Sequence, residues 1–273
     1  MSAQETDTLA QKNGRNEGLS SASIDPDEVE KFSKLAAEWW DPKGNFKPLH
    51  QLYPVRVTYI RDLVIDHYGL KRKSGFEAHR ALAGLKVIDI GCGGGLLTEP
   101  MTRLGGDVTG IDVSEKNIKT ASVHAREQDL PTRYLFTSAE KLAQDEAATY
   151  DVVTSMEVIE HVADIEAFME AAATLLKPGG IMLLATLNKT MKSYALAIVG
   201  AEFVLGWLPR GTHDWKKFLT PAELFKALEQ QGLLVTQETG VTYNPLTDRW
   251  SLSHDMDVNY MMVATKPVEN HDS

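Results

Sequence analysis

The run VIDIGCGGGLLTE, Val87 to Glu99, sets an apolar strand-like stretch against four glycines in five positions. A buried strand ending at Ile90 and followed by Gly91, Gly93, Gly94 and Gly95 lets the backbone turn tightly and approach a ligand without Cβ obstruction. Asp112 follows Gly91 by twenty-one positions, at the end of the next strand-like run, where a carboxylate accepts from two ribose hydroxyls. The dinucleotide fingerprint G-x-G-x-x-G fails here, because Leu96 holds its last place. Asp89, just before the glycines, disfavours a pyrophosphate and favours the ammonium of an amino-acid ligand.

Working outward, strand-like runs recur as KVIDIG, DVTGIDV, TRYLFTS, YDVVTSM, GIMLLATLN, LLVTQETGVTY and VNYMMVATK. Helical patterns separate the first five, which implies right-handed crossovers and a mainly parallel sheet covered on both faces. The last two are joined by NPLTDRWSLSHDMD, too short for a helical crossover, and are predicted to pair antiparallel at the sheet edge. The fold class is therefore α/β, with one domain over 85–267.

Upstream, residues 24–84 form a predicted helical cap. Asp25 is placed to cap a first helix, Pro26 suits its first position, and Glu28 stands where a capping-box carboxylate reaches back. The three prolines of DPKGNFKPLHQLYPVR predict a loop before a helix through VRVTYIRDLVIDHYG. Residues 1–23 read as a disordered polar tail and 268–273 as a short one. An insertion at about 189–219 is long enough to be a lid or binding element.

The 273 residues are 43% hydrophobic, enough for a sizeable core, and carry a formal net charge of −10, which argues against a nucleic-acid partner. Cys92 stands alone, so no internal disulfide is possible and a reducing compartment fits. No apolar run reaches membrane-spanning length, and Glu5, Asp7 and Glu17 spoil a transit peptide, so a cytoplasmic location is expected.

In SMEVIEHVAD, Ser155 to Asp164, the residues Glu157, Glu160 and His161 have the i, i+3, i+4 spacing of one helix face. Acids so close repel unless a cation lies between them. Three readings stay open: ligands of a divalent metal, a catalytic base, or acids capping a helix start.

The chain resembles the class I S-adenosylmethionine-dependent methyltransferases, whose first motif is similar to DIGCGGG, over about Lys86 to Lys266. The nearer resemblance is to the ubiquinone-biosynthesis O-methyltransferases. It is carried by WWDPKGNFKPLHQLYPVR, DIGCGGGLLTE, SMEVIEH, IVGAE, PRGTHDWKKFL, TYNPLT and DVNYM. The resemblance implies a Rossmann-like sheet and S-adenosyl-L-methionine as cofactor. It implies that Gly91 and Gly93 line the methionine part, Asp112 holds the ribose, Arg56 pairs with the methionine carboxylate, and Met156 lies against the adenine or sulfonium. Ser138 and Ala139 match an adenine contact, although many relatives carry aspartate at the position of Ser138. It also favours a magnesium-like cation at Glu157, Glu160 and His161, with zinc or a base role left open.

The implied acceptor is a polyprenyl phenol or catechol. A phenol with pKa near 10 is ionised only about one part in a thousand at pH 7, a deficit of roughly 4 kcal/mol that a base or a cation offsets. His213 and Asp214 are a reserve base pair. In the insertion, SYALAIVGAEFVLGWLP carries Phe203 and Trp207 and is flanked by Lys189, Lys192, Arg210, Lys216 and Lys217. Such a segment suits either a lid helix or an anionic membrane surface, peripheral on the inner membrane and in reach of a ubiquinone-biosynthesis complex. The competing functions are methylation of another small phenol or amine, and a cofactor-binding scaffold without chemistry.

Overall fold

The computed structural model describes residues 19, 21–72, 74–195 and 214–268. Eight strands form one sheet: β1 (Lys86–Ile90), β2 (Asp107–Asp112), β3 (Arg133–Phe136), β4 (Tyr150–Met156), β5 (Leu176–Leu187), β6 (Leu234–Asn244), β7 (Arg249–Ser253) and β8 (Asn259–Thr265). Their order is β3-β2-β1-β4-β5-β8-β6-β7. The first five pair in parallel, while β8 runs antiparallel between β5 and β6. The predicted α/β class and antiparallel pair are present. The connection NPLTDRWSLSHDMD, however, contains a further strand, β7, which pairs with β6 and becomes the edge. Its burial alternates weakly, so its pattern gave little strand signal.

The helices are α1 (Pro26–Lys34), α2 (Lys47–His67), α3 (Thr98–Arg103), α4 (Glu115–Glu127), α5 (Ala139–Asp145), α6 (Ile165–Leu175), the short α7 (Met191–Ser193) and α8 (Pro221–Gln230). Alternation along the strands sorts the core into two faces. Ile88, Val153, Met182, Leu184 and Met262 pack with Phe168, Met169, Leu224 and Leu228 of α6 and α8. Their sequence neighbours Val87, Val152, Ile181, Leu183 and Val263 pack with Ile60 and Val64 of α2 and Met101 of α3. The predicted cap is thus continuous with the sheet's own core through α2.

The proline-broken loop is corrected: α2 begins at Lys47 and contains both Pro48 and Pro54. Pro48 lies in the first turn, where no intrahelical donor is needed. Pro54 gives up one interior bond, but the buried stripe Leu52, Arg56, Ile60 and Val64 at four-residue spacing holds the helix to the sheet. Asp25 caps α1 as expected, accepting from the amides of Asp27 and Glu28. Just before the predicted cap, the Ser23 amide donates to Glu140. Most of the insertion, with Phe203, Trp207, Arg210 and His213, lies outside the described residues.

Candidate active site

The carboxyl ends of β1, β2 and β4 open into a cavity of 680 Å³. Ligands of open parallel sheets bind at this end of the strands. Gly91, Gly93, Asp112, Ser138, Ala139, Met156, Glu157 and His161 all line it, so most of the expected residues meet in one place.

At one end, Asp112 closes β2. Its carboxylate accepts from the amides of Gly93 at 2.9 Å and Ser114 at 2.7 Å, and from Asn117 Nδ2 at 3.3 Å. Burial pushes this carboxyl above its ordinary range, against those three bonds. Gly93 has φ +53°, a left-handed conformation that costs a non-glycine residue strain, and this brings its amide round to Asp112. Ser138 caps α5 through Lys141, and with Ala139 it forms the neighbouring wall. Asp89 does not line the cavity. It is buried beneath the turn, accepting from Thr98 at 2.7 Å and Thr154 at 2.9 Å, and burial lifts it to about 6. Its visible task is to hold the turn onto β4, and the expected ammonium contact has no counterpart in this geometry.

Arg56 comes from the apolar stripe of α2 and is fully buried. Its Nη2 donates to the carboxylate of Glu157 and, at 3.3 Å, to Asn259 Oδ1. Asn259 Nδ2 in turn donates to Glu157 Oε1 at 2.9 Å. Nε and Nη1 of Arg56 have no hydrogen-bond partner among the described residues. Two buried guanidinium donors left unpaired are costly, and Arg56 itself stands behind the cavity wall, to which its partners Glu157 and Asn259 belong.

The single helix face predicted for Glu157, Glu160 and His161 does not exist. β4 ends at Met156, Glu157 adopts φ +58°, and a 3-10 turn spans Ile159–His161. Helix α6 begins only at Ile165, capped by Asp164 through the Ala167 amide, so the helix-capping reading of the three residues is also corrected. Glu160 is buried and accepts from Thr186 Oγ1 at 2.8 Å. Burial, then the charge of Glu157, raises its carboxyl well above the usual range. His161 turns the other way: Nδ1 lies 3.0 Å from Glu28 Oε2, with the ring edge-on to Phe32.

Glu28 is therefore no capping-box residue. Burial raises its carboxyl, but the hydrogen bond and charge of His161, with Lys31, hold it down to about 2. Lys217, near the end of the insertion, also reaches Glu28 and Asp25. Glu157 and Glu160 offer the hard oxygens a magnesium-like ion takes, but His161 is drawn to Glu28. Among the described residues no three such side chains are grouped to hold a metal.

Sequence reasoning missed Asn259, Asn117 and the role of Glu28. Asn259 carried one signal, a polar side chain opening an otherwise apolar buried run, and Asn117, among exposed charged neighbours, carried none.

A methyltransferase-domain family model matches residues 62–238. The ubiquinone biosynthesis O-methyltransferase of Parvibaculum lavamentivorans is 56% identical over 245 residues, covering 90% of this chain and 95% of that protein. Its counterpart from Maricaulis maris is 54% identical over 249 residues, covering 91% and 96%. Among solved structures, a magnesium protoporphyrin IX methyltransferase from Synechocystis with bound SAH gives a TM-score of 0.57 at 20% identity, covering 87% of this chain and 94% of that one. A possible histamine N-methyltransferase from Thermotoga maritima gives 0.59 at 16% identity, covering 88% and 99%, and both show a shared fold. The chain belongs to the methyltransferase-domain family and, within it, to the ubiquinone biosynthesis O-methyltransferases.

Proposed function

We propose that this chain transfers the methyl group of S-adenosylmethionine to a ring hydroxyl of a polyprenyl phenol or catechol on the route to ubiquinone. One observation carries the reading. A single cavity is lined by a ribose-type carboxylate, Asp112, and by Glu157 and Asn259, the two partners of buried Arg56, whose other donors are unpaired among the described residues, next to a wall of Leu52, Tyr53, Val241 and Trp250.

When bound, the sulfonium supplies an activated methyl group for in-line displacement. The protein's part is to hold the two ends of the cofactor, exclude water and take the phenolic proton. Asp112 accepts from the ribose, Arg56 receives the carboxylate, and Gly91, Met156, Ser138 and Ala139 form the surfaces between. His161 is the base. A proton on Nδ1, donated to Glu28, makes Nε2 the basic nitrogen of the ring. Glu28 is ionised throughout the physiological range and steadies the imidazolium once formed. No step is assigned to a metal.

An apolar tail brings the acceptor from a bilayer, and the basic, aromatic insertion is the element suited to meet an anionic membrane surface. Met191 and Tyr194, at its root, are exposed. Lys192 and Lys217, however, are engaged with Asp255, Asp257, Asp25 and Glu28, which leaves fewer cationic groups for lipid than the sequence suggested. No helix among the described residues is long and apolar enough to cross a membrane.

The test is product analysis with radiolabelled methyl donor and a membrane extract. Label in a lipid-soluble polyprenyl ring supports the reading. Equal turnover of tail-less soluble catechols favours a general small-phenol enzyme, and cofactor binding without transfer favours a scaffold.

A further inference from the structure

The cofactor end of the cavity is not built from the sheet domain alone. Trp39, 7% exposed, lines the cavity from the segment between α1 and α2, upstream of the residues matched by the family model. Its Nε1 donates to Asn117 Oδ1 at 3.0 Å, and Asn117 Nδ2 donates to Asp112 Oδ1 at 3.3 Å. The ring lies against the glycine turn so closely that a Cβ on Gly94 would overlap Trp39 Cβ and Cγ. Gly94 has no left-handed φ to explain it, so the requirement for glycine there comes from the tryptophan. The next residue grips the same turn: Trp40 Nε1 donates to the Gly94 carbonyl at 2.9 Å while its ring stacks on His124 at 3.5 Å. Helix α1 adds Ser33, whose hydroxyl meets that of Ser114 at 2.6 Å.

We infer that Trp39 is a positioning residue for the cofactor: it fixes the Asp112 carboxylate through Asn117 and sets the path of the glycine turn by packing on Gly94. Docking of the N-terminal segment and cofactor binding are then linked, each strengthening the other. The inference rests on the cofactor reading of the cavity, and the controls separate the two.

S-adenosylhomocysteine affinity is measured by calorimetry on the full chain, with melting curves to confirm folding. Trp39→Phe, which keeps the ring and loses the N–H, is expected to weaken binding by roughly threefold to tenfold, as is Asn117→Ala. The double variant should be no weaker than the worse single one, because both break one relay. In turnover assays Trp39→Phe should raise KM for the cofactor and leave kcat at saturating cofactor unchanged, which general destabilisation does not do. Gly94→Ala should lose about tenfold or more, and should cost little further in a Trp39→Gly background, which removes both overlapping atoms. Asp112→Ala is the control: if it binds as wild type, the cofactor reading falls and takes this inference with it. If Asp112→Ala loses affinity while Trp39→Phe does not, or if Gly94→Ala and Trp39→Gly are simply additive, the role of Trp39 alone is overturned.

Discussion

Arg56 and Glu157 meet across 101 positions of chain, the guanidinium of a buried helical stripe against the carboxylate of a residue in left-handed backbone. Strain at φ +58° and burial of a full charge both oppose folding, and neither is needed to close the sheet. Their joint product is a guanidinium held still, with two donors turned to no protein acceptor among the described residues.

If those donors take the cofactor carboxylate, Arg56→Lys should weaken S-adenosylhomocysteine binding by roughly tenfold to a hundredfold, since an ammonium cannot reproduce the planar fork. The decarboxylated analogue supplies the check. It should bind wild type poorly and bind Arg56→Lys with little further loss. An equal penalty for the analogue in both proteins would place Arg56 outside the site.

If Asp112 accepts charge-assisted bonds from two ribose hydroxyls, Asp112→Ala should cost about 2 to 4 kcal/mol of cofactor affinity, or roughly thirtyfold to a thousandfold. Asp112→Asn should lose less, since its one oxygen still accepts from the Gly93 or the Ser114 amide, though not from both, which bind different carboxylate oxygens. Calorimetry on folded variants reads both, and unchanged affinity in Asp112→Ala would remove it from the site.

Periodicity and turn chemistry made the sheet legible, and the glycines with Asp112 located the cavity. Arg56 was readable only through the family resemblance, although it breaks the stripe Leu52, Ile60, Val64 at the one place where a charge is expensive. What escaped was set by tertiary context. Spacing placed Glu157, Glu160 and His161 on a helix face, but the backbone leaves β4 through a left-handed residue and a 3-10 turn, so Glu157 and Glu160 stay together while His161 pairs with Glu28. Glu28 looked like a local cap because its partner His161 is 133 positions away.

Glu160 predicts a pH effect on stability. Its carboxyl is raised above 4.5 in the folded protein, so its contribution is complete below 4.5 and is lost as pH rises through the higher folded value. Glu160→Gln keeps an acceptor for Thr186 and cannot ionise beside Glu157. In chelator-treated protein its melting temperature should exceed that of wild type at pH 8, with the gap closing as pH falls toward 4.5. A gap independent of pH would mean that Glu160 does not change protonation on folding.

The insertion predicts salt-sensitive lipid binding. Co-sedimentation with anionic liposomes should weaken as salt is added and fall further when Phe203 and Trp207 become serine, since charge and apolar insertion act together. Equal sedimentation of wild type and variant would leave the lid reading. Lys192→Ala should matter little, because its ammonium is already paired with Asp255 and Asp257.

The contact between His161 and Glu28 predicts that Glu28→Gln lowers kcat by roughly tenfold to a hundredfold while leaving cofactor affinity intact, the usual loss when a histidine is deprived of its orienting carboxylate. Unchanged kcat would take the pair out of the reaction. What the ring does is then settled by chelation. A base predicts turnover that survives exhaustive chelation, with His161→Ala losing roughly a hundredfold or more and the loss shrinking as pH nears the phenol pKa. A metal site predicts loss on chelation, recovery with magnesium, and a higher metal concentration for half activity in Glu157→Gln and Glu160→Gln. That second result would require Glu157, Glu160 and His161 Nε2 to converge on the ion, with Nδ1 free to keep Glu28, a rearrangement visible as altered histidine resonances on magnesium addition. The geometry as it stands, with no three such side chains grouped to hold a metal among the described residues, favours the first.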